Sequence, residues 1–147
     1  MRVVVPQTED DFRTYFELRY EILRRPWGQP FSSVKDDLED TAMHAMILDE
    51  KGIVAGVCRM QFNNKDEAQL RFMAIRADLQ GKGHGKLLLT YFEELASRHN
   101  KKRIVLQARE AAVGFYRRNG YMLKEQTQLL WGVIQHYRME KVLLRDE

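Results

Sequence analysis

The chain has one cysteine, three prolines and no long apolar run. A single cysteine, Cys58, rules out an internal disulfide, and its apolar setting, GIVAGVCRM, reads as a packed thiol rather than a nucleophile. All three prolines fall before residue 31, so none interrupts the later elements. No stretch approaches the roughly 18 apolar residues of a membrane helix, so no membrane partner is expected. The opening MRVVVPQTEDDF lacks the apolar core of a signal peptide, and the expectation is a cytoplasmic protein. Repeats, low-complexity tracts and linkers are also missing, so residues 1–147 read as a single domain. A net charge of +3 is too small and too dispersed for a nucleic-acid binder, and no nucleic-acid partner is expected. No metal site is expected either.

What is present suits a soluble globular fold, with 44% hydrophobic and 31% charged residues. Acids gather early, in TEDD (residues 8–11) and KDDLED (35–40), and bases such as Arg76, Lys82, Lys86, Lys101, Lys102, Arg103, Arg109, Arg117 and Arg118 come later. RVVV (2–5) predicts a strand. Thr8 predicts a helix N-cap with acids in the first turn, and Phe12, Tyr15, Phe16, Ile22 and Leu23 form a helical stripe ended by RPWGQP (25–30). A second short helix is expected through the acidic stretch before Asp40. AMHAMIL (42–48) and IVAGVCRMQF (53–62), joined by DEKG, predict a hairpin, and AQLRFMAI (68–75) a further strand. Leu87, Leu88, Tyr91, Phe92, Leu95 and Ala96 mark a helix with one buried stripe. RIVLQA (103–108) is a strand and AAVGFYRRNG (111–120) a short helix stopped by Gly120. YMLKEQ (121–126) and HYRMEKVLL (136–144) are the last strands. The order β-α-α-β-β-β-α-β-α-β-β implies an α/β (α+β) layer fold, a mixed sheet flanked by helices.

The sharpest local feature is QGKGHGK, residues 80–86, just ahead of a helix. Glycines there allow close backbone approach, and a helix N-terminus attracts anions, so the segment suits a phosphate. A P-loop is excluded because only three residues separate Gly81 from Gly85 and Leu87 stands where a hydroxyl is required. A dinucleotide fingerprint fails as well, since Lys86 or Leu88 occupies the place of its third glycine.

A third pattern fits. Gln80-Gly81-Lys82-Gly83-His84-Gly85 resembles the Gln/Arg-x-x-Gly-x-Gly/Ala pyrophosphate signature of the GNAT superfamily of N-acetyltransferases. FMAIRADL resembles the strand and bulged turn that precede it in that superfamily, and AREAAVGFYRRNGYM the following motif. The resemblance implies a GNAT-like, mostly antiparallel central sheet and acetyl-CoA as co-substrate. It implies that backbone N–H groups around Gln80, Gly81, Lys82, Gly83, His84, Gly85 and Lys86 hold the pyrophosphate. Met73, Ala74 and Ile75 would pair with pantetheine as an added strand does. Lys82, His84 and Lys86 add charge or are solvated flanks. Tyr116 matches the tyrosine near the cofactor sulfur, a general acid for the thiolate, while Phe115 reads as core. Arg109 stands where many members carry a cofactor-contacting asparagine. Glu39, Asp40, His44, Glu110 and His136 are candidate bases; His136 is favoured because the last strand borders the acceptor cleft in this fold, and a water relay is an alternative. The acceptor would be a small-molecule or peptide amine, and the family allows a homodimer. The rival reading is a non-catalytic CoA or acetyl-CoA sensor or interaction module of the same fold.

Overall fold

Hydrogen-bonding at its first turn starts the longest early element of the computed structural model, which describes residues 1–143. The Thr8 hydroxyl accepts the Asp11 N–H at 3.0 Å, and the Asp11 carboxylate accepts the Thr8 and Gln7 N–H groups at 3.2 and 3.0 Å. The capping box satisfies donors that a helix start leaves open. The same backbone bonds, that of Gln7 first, hold the Asp11 carboxyl below its usual range. The helix α1 (Glu9–Leu23) buries Tyr15, Phe16, Leu18, Arg19 and Leu23. Arginine on that buried face departs from the apolar stripe read in the sequence.

The second expected helix is a correction. Single 3-10 turns occupy Arg25–Trp27 and Phe31–Val34, and the acidic stretch that follows is turn. The reason is local. Pro26, Gly28 and Pro30 interrupt helical pairing, and the Asp36 carboxylate accepts the Leu38 N–H at 2.9 Å, offering the backbone an alternative to helix.

Seven strands follow the order β1-β2-β3-β4-β5-β7-β6. They are β1 (Arg2–Val4), β2 (Met43–Leu48), β3 (Val54–Phe62), β4 (Glu67–Ile75), β5 (Arg103–Arg109), β6 (Met122–Leu130) and β7 (Ile134–Val142). Strands β1 and β2, β2 and β3, β5 and β7, and β6 and β7 pair antiparallel; β4 and β5 run parallel. The remaining helices are α2 (His84–Arg98) and α3 (Val113–Arg118). The mixed, mostly antiparallel sheet with flanking helices is the architecture the sequence implied. Strand β6 runs four residues past its expected end, and β7 starts two residues early; Leu144, expected in the last strand, lies outside the described residues.

Two compact units divide the chain. The first comprises Met1–Gln61 and Phe72–Phe92, the second Phe62–Arg71 and the chain from Glu93 onward. In the first, Tyr15, Phe16, Leu18, Leu23, Val34, Met46, Val57 and Ala74 form a continuous core. In the second, Ile104, Leu106, Ala108, Tyr121 and Met139 are buried. There the Tyr121 hydroxyl and the Lys141 ammonium both donate to Glu93, at 2.9 and 3.2 Å. Buried Lys101 donates to the carbonyls of Asn64 and Lys65.

Replacing Thr8 with Ala is expected to lower unfolding free energy by about 1 kcal/mol, the usual worth of an N-cap. Urea denaturation checks this, and an unchanged midpoint would contradict the cap's role.

Candidate functional site

Strand β4 leads into the glycine loop, and side chains brace that passage. The Arg76 N–H donates to the Ala55 carbonyl at 2.8 Å, and the Arg76 guanidinium pairs with Asp49 and Asp78 at 3.0 and 2.7 Å. A 3-10 turn, Ala77–Leu79, follows. The Gln80 amide then donates back to the Ile75 carbonyl at 3.0 Å. His84 Nδ1 lies 3.2 Å from the Leu79 carbonyl, which can only accept, so that nitrogen carries the proton. Gln80 and His84 thus use their side chains to hold the loop's shape.

Gly81 and Gly83 sit at φ of +77° and +92°, in the left-handed region that side chains disfavour. A Cβ added at either would meet no atom within 4 Å. Packing therefore does not demand these glycines; backbone conformation does, and space lies open around them. Helix α2 starts at His84, and the Leu87 N–H is the one that reaches back, to the Gly83 carbonyl at 3.3 Å. The N–H groups of His84, Gly85 and Lys86 precede it in the first turn, where a helix offers no internal acceptors and carries partial positive charge. Lys82 and Lys86 are exposed beside them. Convergent donors, a helix terminus and open space fit a pyrophosphate such as that of acetyl-CoA.

On β4 itself, the parallel register with β5 covers Glu67, Ala68, Gln69 and Leu70. Two residues on, Phe72 adopts φ +58°, a left-handed conformation that costs a bulky residue on the order of 1–3 kcal/mol. Its ring lies 4.3 Å from the Arg19 guanidinium, 4.9 Å from that of Arg59 and 5.7 Å from that of Arg24. Met73, Ala74 and Ile75 follow directly.

Arg19 and Arg59 are fully buried, and sequence reading missed both. The signal was there. Arg19 falls on the apolar stripe between Phe16 and Leu23, and Arg59 sits within the apolar strand GVCRM. Glu39 Oε2 accepts from Arg19 Nη1 at 2.9 Å, Arg59 Nη1 at 2.9 Å and the Asp36 N–H at 3.0 Å. Arg59 also grips Asp36 with both terminal nitrogens, at 2.6 and 3.0 Å, and donates to Gln61 at 2.6 Å. Glu39 Oε1 and the Nε atoms of Arg19 and Arg59 are buried without hydrogen-bond partners. The guanidinium groups instead meet aromatic faces. Glu39 is thereby committed to two cations, and Asp40, another candidate base, is exposed.

His44 is held at both ring nitrogens. Nε2 donates to the Glu39 carbonyl at 2.7 Å, and Nδ1 lies 2.8 Å from the Tyr15 hydroxyl. Burial lowers the His44 pKa, and the Tyr15 hydroxyl also donates to the Cys58 carbonyl at 3.0 Å. Arg19 Nη2 in turn donates to the Tyr15 oxygen at 3.1 Å. His44 is a satisfied core histidine.

In the second unit, α3 carries Tyr116, buried with its ring edge-on to Phe115 and Tyr121 at 5.0 and 5.7 Å. Its carbonyl accepts the N–H groups of Asn119 and Tyr121, both at 3.0 Å, while the Asn119 amide donates to the Phe115 carbonyl at 2.8 Å. The short helix is thus closed at its end. His136 lies in β7, opposite Arg109 of β5, and is buried. Its Nδ1 donates to the Ile134 carbonyl at 3.0 Å, since a carbonyl can only accept. Arg109 lies 6.0 Å from the Trp131 ring, and Glu110 is exposed. Among the described residues no group of His, Cys, Asp and Glu is arranged to hold a metal ion, and no helix is long and apolar enough to cross a membrane.

The acetyltransferase (GNAT) domain family matches the chain over residues 25–143. "Uncharacterized N-acetyltransferase YjcF" of Bacillus subtilis (strain 168) is 25% identical over 142 residues, 96% of this chain and 99% of that protein. Among solved structures, an aminoglycoside 6'-N-acetyltransferase complexed with coenzyme A superposes with a TM-score of 0.82 at 12% identity, covering 100% and 99% of the two chains. The ribosomal-protein-S18-alanine N-acetyltransferase from Escherichia coli gives 0.76 at 17% identity, covering 99% and 96%. At those identities the likeness is one of fold.

Cys58 is fully buried, and burial pushes its thiol up to about 12. The native protein is expected to resist iodoacetamide at pH 8 and to be alkylated once unfolded. Rapid stoichiometric labelling of the folded protein, followed by mass spectrometry, would contradict this.

Proposed function

The chain belongs to the GNAT acetyltransferase family, and from that premise we propose that it transfers the acetyl group of acetyl-CoA to a primary amine, by direct attack in a ternary complex. The family's reaction is acetyl transfer to an amine. The observation that carries the cofactor reading is the loop at Gly81 and Gly83. Its glycines are demanded by positive φ rather than by packing, and it opens onto the first-turn N–H groups of α2. Acetyl-CoA supplies the activated acyl group as a thioester.

The backbone at Gly81, Lys82, Gly83, His84, Gly85 and Lys86 would bind the pyrophosphate, with Gln80 and His84 also bracing the loop through their side chains. Met73, Ala74 and Ile75 would offer backbone groups to the pantetheine amides, which suits their apolar side chains. Tyr116 would donate its proton to the departing thiolate, a role open to a phenol O–H. His136 would take the amine's proton. Buried, protonated Cys58 is unsuited to an acetyl-enzyme intermediate, which favours direct transfer. Because one structural neighbour is named for an aminoglycoside and another for an alanine of a ribosomal protein, both acceptor kinds belong in a screen.

Two outcomes test this reading. Acetyl-CoA or CoA at about 100 times Kd is expected to stabilise the protein by roughly 2.7 kcal/mol, and Gly83→Val to abolish the shift in a melting experiment. No shift in a cooperatively melting wild type would remove the cofactor. Tyr116→Phe is expected to lower kcat by about 10²-fold while CoA affinity stays within about twofold. An unchanged kcat would remove the tyrosine from the reaction, and a thermal shift without turnover on any amine would favour the sensor reading.

A further inference from the structure

The buried charges of the first unit converge on one strained residue. Arg19 comes from α1, Arg59 from β3, and Asp36 and Glu39 from the loop ahead of β2. Two cations and two carboxylates cancel, so the cluster offers no net charge to an incoming ligand. A buried ion cluster is also an inefficient way to fill a core, because apolar side chains of similar volume usually serve stability as well or better. What such a cluster supplies is fixed geometry. Arg59 is forked on Asp36 and tied to Glu39; Arg19 is tied to Glu39, to the Val34 carbonyl at 3.0 Å and to the Tyr15 hydroxyl. Neither guanidinium plane is free to turn.

Both planes lie against the Phe72 ring, at 4.3 and 4.9 Å. Phe72 is where β4 takes φ +58°. That conformation persists only where its surroundings over-determine it. We propose that Arg19, Arg59 and Glu39 are positioning residues: they lock the Phe72 ring, and through its left-handed backbone they set the direction in which Met73, Ala74 and Ile75 meet the pantetheine arm of acetyl-CoA. The inference rests on the acetyl-CoA reading above. It adds that the pantetheine and phosphate contacts have separate supports. The clamp governs the strand, while Arg76, Gln80 and His84 hold the loop.

Separate supports make the test selective. Adenosine 3'-phosphate 5'-diphosphate carries CoA's pyrophosphate and 3'-phosphate without the pantetheine arm, so it reports on the loop side alone. By calorimetry, Phe72→Ala is expected to weaken acetyl-CoA binding by about tenfold or more, since a misdirected strand loses a set of aligned contacts at once. Its affinity for the nucleotide should stay within about twofold. Phe72→Tyr keeps the ring and should restore acetyl-CoA affinity. Arg59→Lys keeps the charge but loses the fork and the stacked plane, and should weaken acetyl-CoA selectively as well. Equal affinity of wild type and Phe72→Ala for acetyl-CoA, or equal losses for both ligands, would overturn the clamp. So would wild-type binding by Arg59→Lys. If Phe72→Ala does not fold, hydrogen exchange on the wild type decides: residues 73–75 must gain protection with acetyl-CoA and not with the nucleotide, and no such difference overturns the proposal. A wild type that binds neither ligand would instead sink the cofactor reading itself.

Discussion

Two buried guanidinium groups share a single carboxylate oxygen, and much of the first unit is arranged around that contact. Glu39 Oε2 accepts from Arg19, Arg59 and the Asp36 N–H together. Once both arginines are out of water, removing any partner leaves an uncompensated buried charge, which costs about 3–5 kcal/mol. The cluster therefore constrains everything that touches it. It draws the acidic loop onto α1 and β3, leaves that loop as turn rather than helix, and holds Phe72 where β4 leaves ordinary strand geometry. Tyr15 and His44 extend the same network, each with its polar atoms committed.

The loop after β4 is held by a different principle. Its polar side chains are turned back on its own carbonyls, Gln80 to Ile75 and His84 to Leu79, and Arg76 is anchored between two aspartates. The backbone N–H groups at the start of the following helix have no acceptor within the helix itself. Preorganisation of this kind lowers the ordering cost that binding would otherwise incur. Two residues expected as cofactor contacts, Gln80 and His84, thus have structural duties in their side chains.

Several elements were legible from local pattern. The N-cap at Thr8, the stripe of α1, the hairpin of β2 and β3, and the glycine loop ahead of α2 each follow from spacing and residue type, and each forms where the pattern placed it. The acidic stretch was misread because its composition permits a helix. Three helix-breaking residues just before it and carboxylates drawn to buried arginines settle it as turn. Arg19 and Arg59 were visible as charges on apolar faces, but their partners lie about 20 residues away or more, too far for periodicity to connect.

By itself the sequence determined what depends on near neighbours: most of the helix and strand segments, the glycine-rich loop that runs into a helix start, and that Cys58 is packed. Those properties follow from backbone dihedrals and from periods of two and 3.6 residues, which are written locally. Only the tertiary structure decided which acids are neutralised, which histidine is committed to the core, and that a phenylalanine rather than a glycine takes the left-handed turn in β4. Those outcomes depend on burial and on charges brought together from separate elements, and the free energy of a charge is set by what surrounds it in space, not by what precedes it in the chain.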